Sequence, residues 1–265
     1  MPKKKALGAF ALVLSVVGGV AYGLLNGADP SPTDGISLAQ GSDRVPGETP
    51  SDWVSYSDAI VVARVQSENE VTEPPAVDGD PNEGYKGRQV GITVLQTIWV
   101  NKNLPDYNAH VSPGVTIPSN ITMQAMGQVS QDGGFRTASL EGAPRLEVGH
   151  TYIIPLGRFE EEGWAPTSAT SVLPFDSGVI GRGEWEGNGA STLSAADFEA
   201  GSVGAAVAGR NVAVLTTLLA GTTRDPQVPA YGDPDERLES VRAANDATAE
   251  PDPLPDPSET PGDDT

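Results

Sequence analysis

The sequence predicts a mainly β fold. The expected form is a small antiparallel barrel or sandwich with a short N-terminal helix, a C-terminal amphipathic helix and one transmembrane helix ahead of it. Three observations carry that expectation. The 265 residues include 31 glycines and 23 prolines, about a fifth of the chain against a usual ~12%, which favours turns and short strands over long helices. Between residues 59 and 169, apolar residues recur with the period of two that marks a half-buried strand. Near the start, 20 consecutive residues carry neither charge nor proline.

That apolar run, from Ala6 to Leu25 (ALGAFALVLSVVGGVAYGLL), follows Lys3, Lys4 and Lys5. At 1.5 Å per residue it spans ~30 Å, the thickness of a bilayer's hydrocarbon core. The lysines before it, with Asp29 and Asp34 after it, place the N-terminus in the cytoplasm and the rest outside. The expected location is the cell membrane, single-pass, with the lipid bilayer as a partner through this run. The alternative is a cleaved signal peptide and a secreted chain. Gly19-Val20-Ala21 and Ala21-Tyr22-Gly23 fit such cleavage poorly, because it leaves apolar residues on the mature end.

Four regions follow. Residues 1–25 hold the lysines and the span. Residues 26–48 (NGADPSPTDGISLAQGSDRVPGE) are poor in large apolar groups and read as a flexible stalk. Residues 49–221 form the β domain with its helix. Residues 222–265 read as an acidic, proline-rich disordered tail, which from Glu250 onward holds six acids, five prolines and no base.

Within the domain, Thr49-Pro50-Ser51-Asp52 is an N-cap, a first-turn proline and an acid, so a short helix through Trp53, Val54 and Tyr56 is expected. AIVVARVQS, from Ala59, is rich in β-branched residues and reads as a strand. In the next, from Gln89, Val90, Ile92, Val94, Ile98 and Val100 are expected on one face and Gln89, Thr93 and Thr97 on the other. Ile121, Met123 and Ala125 alternate in a third strand. HTYIIPLGRF and the residues from Gly163 form a hairpin across Glu160-Glu161-Glu162-Gly163, with Pro155 marking an edge or a bulge. Gly178 to Gly181 adds a short strand. From Ser194 to Ala220, Val203, Val207, Val214, Leu215, Leu218 and Leu219 recur near helical spacing behind a Ser194–Asp197 capping box, and Gly221 ends the helix.

Charge and composition exclude several functions. Acids outnumber bases 36 to 16, for a net charge of −20, so the surface repels phosphate backbones and nucleic acid is not an expected partner. Cysteine is absent, which removes disulfide scaffolds, thiol catalysis, zinc ribbons, iron–sulfur clusters and a lipoprotein anchor. No cofactor is expected. His110 and His150 are the chain's two histidines, in a proline-bearing loop and in a turn, with no G-x-S-x-G elbow and no H-E-x-x-H spacing beside them. Asp78, Asp80 and Asn82 match the first three ligands of a calcium loop. Its sixth position is Glu83 where a glycine belongs, and its twelfth is Gln89 where a bidentate glutamate belongs, so a solvated loop is the favoured reading. The stretch GVIGRGEWEGNG lacks the glycine spacing of a dinucleotide fingerprint and reads as a glycine-rich loop. Glu160, Glu161 and Glu162 lie together at one hairpin tip, whereas glycosidase carboxylates flank a cleft. Trp53, Trp99, Trp164 and Trp185 are the aromatics able to line a groove, with core packing their commoner use.

The order of a short helix, SDAIVVARV, a long alternating strand and LEVGHTYIIPLG resembles the netrin-like module of the tissue inhibitors of metalloproteinases, over about residues 50–166. That resemblance implies a five-stranded OB-like barrel. Those inhibitors chelate zinc through an N-terminal cysteine that this chain lacks, so their activity does not carry over. The whole pattern also resembles membrane-anchored or secreted actinobacterial proteins with no assigned activity. The expected role is a non-catalytic, membrane-tethered extracytoplasmic binding module for an unknown protein or cell-envelope partner. The alternatives are an extracellular hydrolase using carboxylates and His150, and a structural envelope protein.

Overall fold

The computed structural model describes residues 36–40, 43–71, 85–102, 116–131, 134–160 and 162–248. The run 6–25, the calcium candidates Asp78, Asp80 and Asn82, and His110 lie outside the described residues. No helix among the described residues is long and apolar enough to cross a membrane.

The chain is mainly β. Its first half runs β1 (Ser37–Ala39), α1 (Pro50–Tyr56), β2 (Ala59–Val71), β3 (Tyr85–Val100), β4 (Asn120–Gln131) and β5 (Gly134–Leu140). There follow β6 (Thr151–Phe159), β7 (Gly163–Pro166), β8 (Leu173–Pro174), β9 (Arg182–Trp185) and β10 (Asn188–Thr192). Three helices, α2 (Val203–Val207), α3 (Val212–Gly221) and α4 (Pro234–Thr248), complete it. Eight strands form one mixed sheet in the order β1-β5-β4-β3-β2-β6-β7, with β8 also paired to β6, and β9 and β10 form a separate hairpin. The β1–β5 pairing is parallel.

The sheet curls until β4 and β7 approach each other, but among the described residues no ladder closes it. An open curled sheet therefore stands where a closed barrel or a sandwich is expected. β2 is its centre, and its unbroken apolar run has a physical reason: both faces are covered. Ala59, Val61, Ala63 and Val65 join Val90, Ile92, Ile121, Met123, Tyr152 and Ile154 inside the curl. Ile60, Val62 and Ile153 pack outward against Trp53, Val203, Val207, Leu215 and Leu219 of the helices, each fully buried aliphatic side chain stabilising by about 1.5–3 kcal/mol.

Several expectations are corrected here. The apolar face of β3 does not run straight through to Val100. The register with β2 shifts between Ile60 and Val61 and again between Val62 and Ala63, and each extra residue turns the following side chains to the other face. Ile98 thus leaves Val90 and Ile92 and joins Trp99 on the helix side. Pro155 sits in an interior strand. Tyr152 and Ile153 pair with β8 and Leu156 to Phe159 with β7, so the proline falls in the gap between the two partners, where its missing N–H interrupts neither ladder. The capping box at Ser194 opens a single 3₁₀ turn, and the expected long helix is split into α2 and α3 across Gly209, which adopts φ 74°. Where a strand is expected at Gly178 to Gly181, Gly178 ends a 3₁₀ turn (Asp176–Gly178) and Ile180 and Gly181 turn into β9, and the glycine-rich loop is the β9–β10 hairpin. Glu186 and Gly187 both take positive φ at its tip (53° and 82°), as a tight hairpin turn requires.

The stalk and tail expectations also change within the described residues. Residues 37–39 form β1, and Val45 is buried against Tyr56 and Val228. Instead of starting a disordered tail, Thr222 leads into an ordered segment that carries α4. Arg224 donates to the carbonyls of Val54 (2.7 Å), Ser55 (3.1 Å) and Pro229 (2.9 Å). Arg237 donates to the carbonyl of Tyr56 (2.8 Å) and pairs with buried Asp58. Two arginines from the supposed tail thereby satisfy the C-terminal carbonyls that α1 leaves open.

Candidate functional site

A cleft of about 220 Å³ opens on the helix side of the sheet. Trp53, Leu173, Trp185 and Phe198 contribute its apolar walls, and Glu48, Asp197 and Glu199 its acids. Five separate parts of the chain meet there, which is why no single motif announces it.

The N-terminal wall is Gly47 and Glu48. The Gly47 carbonyl accepts from the Trp53 indole at 2.7 Å, and the Glu48 carbonyl accepts from the Val203 N–H at 2.8 Å. Gly47 is pressed so closely on the next loop that a Cβ there would lie 2.6 Å from the Ser168 Cβ. Upstream, Asp43 accepts from the Thr170 hydroxyl, and Arg44 stacks on the Phe159 ring at 4.0 Å while bonding Glu162 and Asp235. Just beyond, Thr49 is the expected N-cap of α1, and with Asp52 it closes a capping box.

Trp185 is held by carboxyl groups on either side of it in β9 and its turn. Glu184, fully buried, accepts from the N–H groups of Arg145 (2.9 Å) and Gly187 (2.7 Å) through one oxygen. Its other oxygen accepts from the Leu146 N–H (3.1 Å) and the Tyr152 hydroxyl (2.8 Å). Burial, with the neighbouring Glu184, pushes the Tyr152 phenol well above its ordinary range. Glu186 accepts from the Gly142 N–H at 2.7 Å. The hairpin is thus tied to the loop before β6, and Trp185 meets Phe198 edge to face with ring centroids 5.8 Å apart. Phe198 in turn lies on Gly204, where a Cβ would come within 2.3 Å of the ring.

The acids at the cleft play two parts. Asp197 is lowered by the hydroxyl and N–H of Ser194, which it caps. Glu48 is raised, first by the charge of Glu199, then by burial, then by Asp43 and Asp52. Among the described residues no lysine or arginine pairs with Glu48 or Glu199. The cleft therefore holds concentrated negative charge beside aromatic rings.

His150 lies elsewhere, at the start of β6. Its Nδ1 is 2.6 Å from Asp176 Oδ2, and Asp176 Oδ1 accepts from the Thr151 N–H at 2.9 Å. A carboxylate-held imidazole of this kind can take or give a proton through Nε2, and a Cβ at Gly189 of β10 would lie 3.9 Å from that nitrogen. Asp176 is a partner that sequence spacing did not offer. The glutamates at the hairpin tip do not form a catalytic pair: Glu162 is joined to Arg44, the Glu160 N–H donates to Asp233, and Glu161 lies outside the described residues. No group of three or more histidines and acids able to hold a metal occurs among the described residues.

Of the four tryptophans, Trp53 is the buried floor of the cleft, and Trp99 and Trp164 pack against the two cores. Those two and Trp185 are each half-buried, and Trp185 is the one of the three that stands at the cleft wall. Sequence reasoning missed Glu48, Phe198 and Glu199, which are ordinary residues until the fold gathers them. Compared with known proteins, the chain matches no family model and no curated protein.

Proposed function

We propose that this protein is an extracytoplasmic binding module, tethered to the membrane through Ala6 to Leu25, that captures its ligand in the cleft between Glu48, Trp185 and Phe198. The observation that supports this reading is the pairing of aromatic walls with carboxylates that no base in the described chain neutralises. Such a surface costs the unliganded protein stability, and binding sites characteristically carry that cost. A photo-crosslinking residue placed at position 170, which lines the cleft without supplying its charge, tests it in intact cells. An adduct that forms there, survives His150→Ala and disappears with Trp185→Ala is expected. Absence of an adduct, or one indifferent to Trp185, overturns the reading.

One observation favours a second reading, an extracytoplasmic hydrolase. The His150–Asp176 bond is the orienting half of a nucleophile–base–acid relay. On that reading, His150→Ala abolishes function while the melting temperature holds.

A further inference from the structure

Resting on the cleft as the ligand site, we infer that its occupant is an organic cation, an ammonium or guanidinium group on a short apolar stem. The charge sits between Glu48 and Glu199, and the stem or the cation's face lies against Trp185 and Phe198.

Size, wall chemistry and charge each narrow the choice. Ligand pockets for drug-sized molecules run from ~300 to ~1,000 Å³. At about 220 Å³ this cleft takes one head group or one side chain. An anion is repelled by Glu48, Glu199, Asp43, Asp52 and Asp197. A hard metal ion asks for six or more oxygen ligands in a shell, whereas this cleft is lined by indole and phenyl rings as well as by acids. A neutral sugar could stack on Trp185, but it would leave the repulsion between Glu48 and Glu199 in place. An organic cation answers both features at once: it relieves the repulsion, and its weakly hydrated charge gains attraction from the ring faces. Its chemistry is shared by two sources, a lysine or arginine side chain of a peptide and a free or lipid-borne quaternary ammonium.

The test titrates the full chain in detergent micelles with N-acetyl-lysine methylamide, N-acetyl-arginine methylamide and tetramethylammonium chloride. N-acetyl-norleucine methylamide, methyl glucoside and calcium chloride serve as comparisons, and the readouts are tryptophan fluorescence and melting temperature. Saturable binding of at least one organic cation is expected, at least tenfold tighter than the neutral isostere. Glu48→Gln/Glu199→Gln should weaken it about tenfold or more without lowering the melting temperature, and Trp185→Ala by roughly 3- to 30-fold. Preference for the amino-acid amides assigns a peptide source, and preference for tetramethylammonium assigns a quaternary one. Equal binding of the norleucine amide, stronger binding of the glucoside or calcium, or no saturation by any cation at 50 mM (roughly the weakest binding worth the name) overturns the assignment. The crosslinking at position 170 leaves both carboxylates in place and is unaffected by those outcomes, so the cleft can survive the loss of its proposed occupant.

Discussion

Glu184 shows how much one side chain can organise. Its two oxygens collect four donors from three parts of the chain, and a glutamine in its place would turn an NH2 group toward N–H groups already pointing at it. Glu184→Gln is therefore expected to cost about 2–3 kcal/mol in urea unfolding, despite near-identical size. Glu48 presents the opposite case. Its carboxyl is held above the usual range by Glu199 and its neighbours, so the folded chain binds that proton more tightly than the unfolded chain does. Ionisation then costs the folded state, and the cost is fully present only once the pH has risen past the raised value. Glu48→Gln should raise the melting temperature at neutral pH, with the two proteins converging on acidification below the ordinary carboxylate range. A variant that melts lower at neutral pH would refute this account of Glu48.

Helix α4 stands or falls with Asp58. Burial raises that carboxyl more than Arg237 lowers it, so without its partner the group is a buried charge with little compensation. Arg237→Met is expected to cost about 3–5 kcal/mol, and Asp58→Asn added to it should recover part of the loss in a double-mutant cycle. The helix also shows what a sequence conceals. Its residues are mostly charged or small and merge by composition with the acidic end of the chain. Its start is nonetheless written in the sequence: Asp233 and Glu236 form a reciprocal capping box around Pro234, the same device that announces α1 at Thr49. Leu238 and Val241 then supply the apolar contact with Val45, Tyr56 and Val228. Strands β3 and β4 were legible by their alternation, and β2 and β6 by short apolar, β-branched runs that each strand carries within itself. The bulges of β3 were not, since an inserted residue is chosen by its partner strand. The cleft was legible only as Trp53 and Trp185, because its other walls come from residues distant in sequence.

At the scale of the whole molecule the dominant quantity is charge. A net −20 over the chain repels itself, and the repulsion reaches ~30 Å in 10 mM salt but only ~8 Å in 150 mM. The melting temperature should therefore rise between those conditions, by less in Glu48→Gln/Glu199→Gln than in the parent. A melting temperature that falls with salt would mean that attractive ion pairs such as Arg44–Asp235 outweigh the repulsion.

Residues 43–48 enter the domain from the N-terminal side and end as a wall of the cleft, stitched on the way to Thr170, Phe159, Glu162 and Asp235. Tension drawn along the chain from upstream meets the short β1–β5 ladder and then those stitches, and once they give it displaces Glu48 while β2 and β6 still hold. The grip on a captured molecule would then loosen under load before the body that carries it unravels.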